Sequence, residues 1–245
     1  MSITKRQEQI LELLHEHSYI SVRRLSEITF TSESSIRRDL FALENLSLLK
    51  RTHGGAEVCE GINHAVPLIS RMEKNIPEKR RIAKAASILL RDGMSIMLDG
   101  STTAGFLVPH IAKHKDVILF TNNMLTAISA INYGIVTHCI GGESVARSAV
   151  LSGAQAYSAI RALRPDLLFF SAQSLSRSGE ISDPIPEENF VRSVMLERAK
   201  SSVFLCDSGK FGQESLYKLT TTDEIGACVF DKPYDELHTK CRIIV

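Results

Sequence analysis

The apolar positions of this chain change period once along its length. Over residues 4–17 (TKRQEQILELLHEH), Ile10, Leu13, Leu14 and His17 recur at helical spacing, with Thr4 placed to cap the helix. Tyr19 and Ile20 form a short extended link. Ser21 then opens a second helix with Val22, Leu25 and Ile28 inward. Ser32 opens a third, SESSIRRDLFALENL, with Ile36, Leu40 and Leu43 inward. Three short amphipathic helices predict a small helical domain, and the tight spacing of the last two predicts a helix-turn-helix. Residues 48–58 read as two β-like arms around Gly54-Gly55. Residues 59–77 lose the periodicity and hold Gly61, Pro67 and Pro77, as a linker does, with room for a short helix over 67–74.

From residue 78 onward helices alternate with short apolar runs. Helices are predicted over 78–91, 124–133, 152–163 and 187–199. A further helix after Gly100 kinks or stops at Pro109. The runs between them predict strands from Met94 to the turn at Asp99 and over 117–121, 135–140, 166–172, 203–206, 227–230 and 242–245. That alternation predicts an α/β domain with a mainly parallel sheet and helices on both faces. The expected domains are therefore 1–58, a linker at 59–77, and 78–245.

Composition narrows the function classes. The formal net charge of the 245 residues is +1, so any nucleic-acid binding must come from a local patch. Five scattered cysteines without a C-x-x-C pair fit reduced thiols in a cytoplasm better than a disulfide framework or a zinc site. The polar N-terminus does not read as a signal sequence, and no apolar run approaches the ~20 residues that cross a bilayer. A cytoplasmic location with no membrane partner is expected.

The third helix carries the first chemistry. With Ile36, Leu40 and Leu43 inward, Ser34, Arg38 and Phe41 point outward, Arg37 flanks them and Ser35 reaches out near the helix start. Such a face suits a major groove, Arg for guanine edges or phosphates and Ser for either. Lys50, Arg51 and His53 in the arms make the hairpin a wing beside phosphates. RQEQILELL followed by SSIRRDLFALENLSLLKRTHGGA resembles the N-terminal domain of the DeoR family of bacterial transcriptional regulators. The resemblance implies a winged helix on double-stranded operator DNA, with Ser32, Ser35, Arg37 and Arg38 facing the DNA and Arg51, His53 and Gly54 in the wing. Asp39 reads as structural. Thr31 and Ser35 stand where the family usually has Val and Thr, which leaves the operator sequence open.

The second half carries the other. In parallel sheets ligands bind beyond the carboxyl ends of the strands. Here those ends hold Asp99, Gly100, Ser101, Thr102 and Thr103, then Thr121, Asn122 and Asn123, then Gly141 and Gly142, the polar loop 171–188, and DSGKFG with Lys210. Hydroxyls and amides suit a polyol, while Gly and Thr backbone with a lysine suits phosphate. The same residues also read as ordinary turns, with Ser101 or Thr102 as a helix cap. EKRRIAKAA, LDGSTT, TNN, IGG and DSGKFG resemble the DeoR-family sensor domain, which is related in fold to sugar-phosphate isomerases. The resemblance implies a phosphorylated sugar as effector, held by residues 99–103, Thr121, Asn122 and Lys210, and no cofactor or metal. Gly209 and Arg192 depart from the family's usual Ser and Lys.

Together these readings describe a sugar-phosphate-responsive repressor of a carbohydrate-metabolism operon. Paired half-sites imply a homodimer or homotetramer. The alternative is a sugar-phosphate isomerase-like enzyme carrying a DNA-binding domain, with Asp99, Glu180, Asp183 and Glu187 as candidate bases. A P-loop hydrolase is excluded, because Gly-x-x-x-x-Gly-Lys-Ser/Thr is absent.

Overall fold

The computed structural model describes residues 4–17, 19–45, 49–57, 68–145 and 149–245. It divides into two units, Met1–Pro67 and Leu68–Val245. Residues 58–67, most of the expected linker, lie outside the described residues.

The first unit contains α1 (Lys5–His17), β1 (Tyr19–Ser21), α2 (Val22–Thr29), α3 (Glu33–Asn45), β2 (Lys50–Thr52) and β3 (Gly55–Glu57). A reciprocal cap starts α1, in which Gln7 N–H donates to Thr4 Oγ1 and Thr4 N–H donates to Gln7 Oε1. Ser21 caps α2 by accepting from Arg24 N–H. Ile10, Leu14, Leu25, Ile36, Leu40, Leu43 and Leu49 form one buried core. His17, expected on the inward face, is exposed. The link at Tyr19-Ile20 is a strand: β1 pairs with β3, giving a three-stranded sheet in the order β1-β3-β2. The physical reason lies in Gly55. A Cβ there would fall 2.5 Å from the Ile20 carbonyl oxygen and 2.7 Å from the Tyr19 hydroxyl, so glycine is what lets β1 close on the wing. Its neighbour Gly54 turns the hairpin at φ +89°.

The second unit opens with α4 (Leu68–Glu73) and α5 (Ile76–Ala86) and then runs β4 (Ser95–Leu98), α6 (Thr102–Gly105), α7 (Val108–Ile111), β5 (Ile118–Thr121), α8 (Met124–Asn132) and β6 (Val136–Cys139). Next come β7 (Glu143–Ser144), β8 (Leu151–Ser152), α9 (Ala154–Arg161), β9 (Leu167–Phe170), β10 (Ser174–Leu175), β11 (Glu180–Asp183) and α10 (Pro186–Arg198). The chain ends through β12 (Ser202–Cys206), β13 (Tyr217–Thr221), β14 (Ala227–Phe230) and β15 (Ile243–Ile244). Seven strands form one parallel sheet in the order β15-β14-β12-β9-β4-β5-β6. Its inner strands read as apolar runs because both faces are covered. Helices α5 to α8 pack on one face and α9 and α10 on the other.

Two expectations are corrected. The helix predicted over 78–91 starts at Ile76, since Pro77 is tolerated in a first turn, and gives way to a 3-10 turn at Ser87–Leu89. The antiparallel strands β7, β8, β10, β11 and β13 were not predicted; they are short and polar, and lack the apolar run that marks the main sheet.

Candidate functional site

On the first unit α3 presents Ser32, Ser34, Arg37 and Arg38 outward, with Ser35 half-buried. The Ser32 hydroxyl stands 3.1 Å from those of Ser34 and Ser35, and Arg38 donates to Ser35 Oγ at 3.2 Å. Arg37 pairs with Glu33, Lys50 with Glu57, and Arg51 with Glu44. The bonds that Arg51 donates pull Glu44 below the usual carboxylate range. The Arg51 guanidinium also lies 5.2 Å over the Phe41 ring, which fixes the wing to the recognition helix. His53 and Gly54 stand exposed at the tip. Between helix and wing runs a groove of about 430 Å³ lined by Arg37, Glu44, Arg51, His53 and Gly54 among others. Asp39 is buried and ion-paired with Arg6, a structural role.

In the second unit the chain starts the sheet at β4, runs outward through β5 and β6, and returns to β9 on the other side of β4. The crevice beyond β4 and β9 is therefore the topological switch point, where a parallel sheet takes its ligand. Asp99 ends β4 and is fully buried. Its Oδ1 accepts from the Ser101 N–H and hydroxyl, and its Oδ2 accepts from Arg192 Nε at 2.8 Å. Asp99 thus holds the loop in shape. Arg192 is 1% exposed and also reaches Asp183 at 3.0 Å and Glu188 at 2.6 Å. Burial opposes its charge, but Asp183, Glu188 and Asp99 outweigh it and push its pKa up. Glu188 is held low despite its burial by Arg71 and Arg192, while burial raises Asp183.

Ser101 accepts from Ala104 N–H and so caps α6. The half-buried Thr102 hydroxyl donates to the Arg71 carbonyl at 3.2 Å, and Thr103 is buried. Gly100 packs against Val150, where a Cβ would come within 2.5 Å. Thr121 accepts from Asn123 N–H, and Asn122 donates to the Leu151 carbonyl at 2.7 Å. Lys210 reaches Ser171 Oγ at 3.0 Å and Asp207 at 3.3 Å. Residues 99–103 thus follow β4, Thr121 and Asn122 lie at the end of its neighbour β5, and Lys210 follows β12, two places from β4 across β9. Gly141 and Gly142 follow β6, the outermost strand, two places from β4.

The sequence reading gave no site role to Arg71 or Lys79, placed Glu188 and Asp207 only within the strand-end segments 171–188 and DSGKFG, and noted Arg192 only as a departure from the family. One signal was available: Glu188 and Arg192 stand at i,i+4 on the face of α10 that also buries Val191, Val194 and Met195. Lys79 is buried and donates to the carbonyls of Arg71 and Lys74. Burial, then Lys210, pushes it down to about 8. Three buried atoms here lack a hydrogen-bond partner among the described residues: Asn122 Oδ1, Gln173 Nε2 and Arg71 Nε. Beside the loop, Thr102 and Asn123 share a largely apolar cleft of about 290 Å³ with Met72, Phe106 and residues of α8.

A winged helix whose α3 turns Arg37 and Arg38 outward, joined to a parallel-sheet unit with a polar crevice, defines a DNA-binding protein with a ligand-sensing half. The chain belongs to the DeoR family: a DeoR-like helix-turn-helix domain matches residues 6–61 and a DeoR C terminal sensor domain matches residues 74–232. It is a DNA-binding transcriptional regulator. The HTH-type transcriptional regulator GolR of Listeria innocua is 31% identical over 93% of this chain and 90% of that protein. A putative aga operon transcriptional repressor of Escherichia coli O157:H7 is 30% identical over 96% of this chain and 89% of that protein. The eIF2B delta structure from Chaetomium thermophilum shares the fold at TM-score 0.50 and 14% identity, covering 83% of this chain and 65% of that one. The relatives are named as regulators, so the reading as an enzyme gives way to regulation. Among the described residues no helix is long and apolar enough to cross a membrane.

Proposed function

We propose that this regulator represses a carbohydrate-metabolism operon and that a phosphorylated sugar in the β4/β9 crevice modulates its operator binding. One observation carries the reading: buried, unpartnered polar atoms lie at the switch point beside a buried lysine, Lys79, whose charged neighbours are mostly cations. Asn122 Oδ1 and Gln173 Nε2 suit sugar hydroxyls. Lys79 is depressed by burial and by Lys210, Arg71 and Lys74, with Asp207 opposing, an imbalance that a phosphate dianion relieves. Gly100, Ser101, Thr102, Thr103, Thr121, Asn122 and Lys210 then line the effector, with Arg71 and Lys79 added to them. Asp99 positions the loop, and Gly141 and Gly142 border the site.

At the other end Arg38 and the serines of α3 read base edges, while Arg37, Lys50, Arg51, His53 and the Gly54 backbone meet phosphates. The basic pairs with Glu33, Glu57 and Glu44 are surface pairs worth about 0–1 kcal/mol, so phosphates displace them cheaply. The effector favours one arrangement of a homodimer or homotetramer over another and so shifts the population that fits paired half-sites.

The test is a gel-shift titration on the chain's own upstream DNA at fixed salt, with a panel of sugar phosphates and their parent sugars. Release by one sugar phosphate and not by its parent sugar is expected. Binding that the whole panel leaves unchanged overturns the effector assignment. Tighter binding with a sugar phosphate overturns the repressor sense.

A further inference from the structure

Residues 117–142 contain no Asp, Glu, Lys or Arg, in a chain that is 23% charged. They build β5, α8 and β6. Helix α8 buries Thr126, Ala127 and Ala130 against the sheet. Its opposite face carries Met124, Ile128 and Ile131 at i, i+4 and i+7, exposed by 40%, 57% and 60%. Leu125 and Tyr133 flank that stripe, both exposed. A solvated surface helix normally turns charge outward, as α5 does with Arg80, Arg81 and Lys84. Strand β6 ends the sheet, pairs with β5 alone among the described strands, and exposes Val136. Neither the DNA-reading surface nor the effector crevice uses the outward stripe or this edge.

We infer that the α8–β6 edge is the surface on which a second copy of this chain docks. An isologous contact brings a surface against itself, so like charges near the axis repel; this segment carries none and is compatible with its own image. An acidic or basic partner finds nothing to complement on it. The edge of β6 that no described strand covers offers N–H and C=O groups, and a two-fold axis beside it brings the same edge of the other copy alongside in antiparallel sense. The 290 Å³ cleft is lined partly by Leu125, Ser129 and Tyr133 of α8, and supplies a recess for an apolar side chain of the other copy. The inference rests on the homo-oligomer proposed above and names the surface that forms it.

Light scattering coupled to gel filtration of the full chain tests it, on wild type and on Ile128→Glu, Ile131→Glu and the milder Ile128→Ser. Ile88→Glu, 64% exposed but outside the segment, is the control. The wild type is expected at twice the chain mass or more. Both Glu variants should halve that mass with an unchanged far-UV circular dichroism spectrum, Ile128→Ser should raise the dissociation constant at least tenfold, and Ile88→Glu should change nothing. A wild type at the mass of a single chain, Glu variants that keep the wild-type mass, or equal dissociation of Ile88→Glu would overturn the proposal.

Discussion

Arg71 of α4 donates to Glu188 of α10 at 2.9 Å across 117 positions of sequence, and the backbone carbonyl of the same Arg71 accepts the Thr102 hydroxyl from the loop after β4. Helix α4 is the first described element after residues 58–67, which join it covalently to the DNA-reading unit. An effector that claims the Thr102 hydroxyl takes a bond from α4. Arg71→Lys keeps the charge but loses the two-pronged hold on Glu188. It should shrink the effector-dependent change in operator affinity at least fivefold, about 1 kcal/mol of coupling. Operator affinity without effector should stay within twofold. Fluorescence anisotropy with and without the sugar phosphate found by gel shift reads both, and a full response in the variant removes Arg71 from the coupling.

Arg192 is the buried hub, and removing it leaves Asp99 and Asp183 without their cation while Glu188 keeps Arg71. Arg192→Met should cost about 3–5 kcal/mol at pH 7, measured by urea unfolding. The sign of its pH dependence follows from linkage. Without the guanidinium, burial raises the Asp183 carboxyl further above its unfolded value, so the folded state binds more protons. The variant should therefore regain stability as pH falls from 7 towards 5. A deficit that stays constant across that range would show that the carboxylates do not depend on Arg192.

Lys79 gives the proposed effector site a pH signature. Its pKa lies near 8 because of burial and the neighbouring Lys210. A bound phosphate favours the charged form, so affinity is full below about pH 8 and declines above it, by at most tenfold per pH unit. A phosphate monoester is already dianionic there, its second pKa being about 6, so the ligand contributes no slope. Isothermal titration of the sugar phosphate from pH 7 to 9.5 measures the decline, and Lys79→Met should flatten it. An equal decline in that variant would assign the slope to another group.

The main sheet was legible because strands buried on both faces, such as Leu167–Phe170 and Ser202–Cys206, stand out as apolar runs between helices. The wing's third strand was not, because Tyr19–Ser21 is three residues long and its pairing depends on the missing Cβ of Gly55, 34 positions away and visible only in space. At the crevice the hydroxyl loop was readable from its Gly and Thr residues. Two of the cations beside it, unlike Lys210, were not: Arg71 reaches Glu188 from α4, and Lys79 caps the carbonyls of Arg71 and Lys74, so each looks in sequence like an ordinary surface charge on a helix. Asp99 was readable as the turn residue after β4, but its occupation by Arg192 follows from a contact 93 positions long.

On the DNA-reading surface the basic residues differ in what they give up. Arg37, Lys50 and Arg51 each leave a carboxylate partner, whereas Arg38 shows no carboxylate partner among the described residues and bonds only the Ser35 hydroxyl. Arg38 is thus the side chain freest to turn a bidentate fork towards a guanine edge. Arg38→Ala should cost about 1–3 kcal/mol of specific binding and relax sequence preference at one operator position. Arg37→Ala should weaken all sequences alike and lower the salt slope by about one. Binding isotherms on the operator and on single-base variants, each at four salt concentrations, separate the two. If Arg38→Ala lowered affinity uniformly and Arg37→Ala changed base preference, the two arginines would exchange roles.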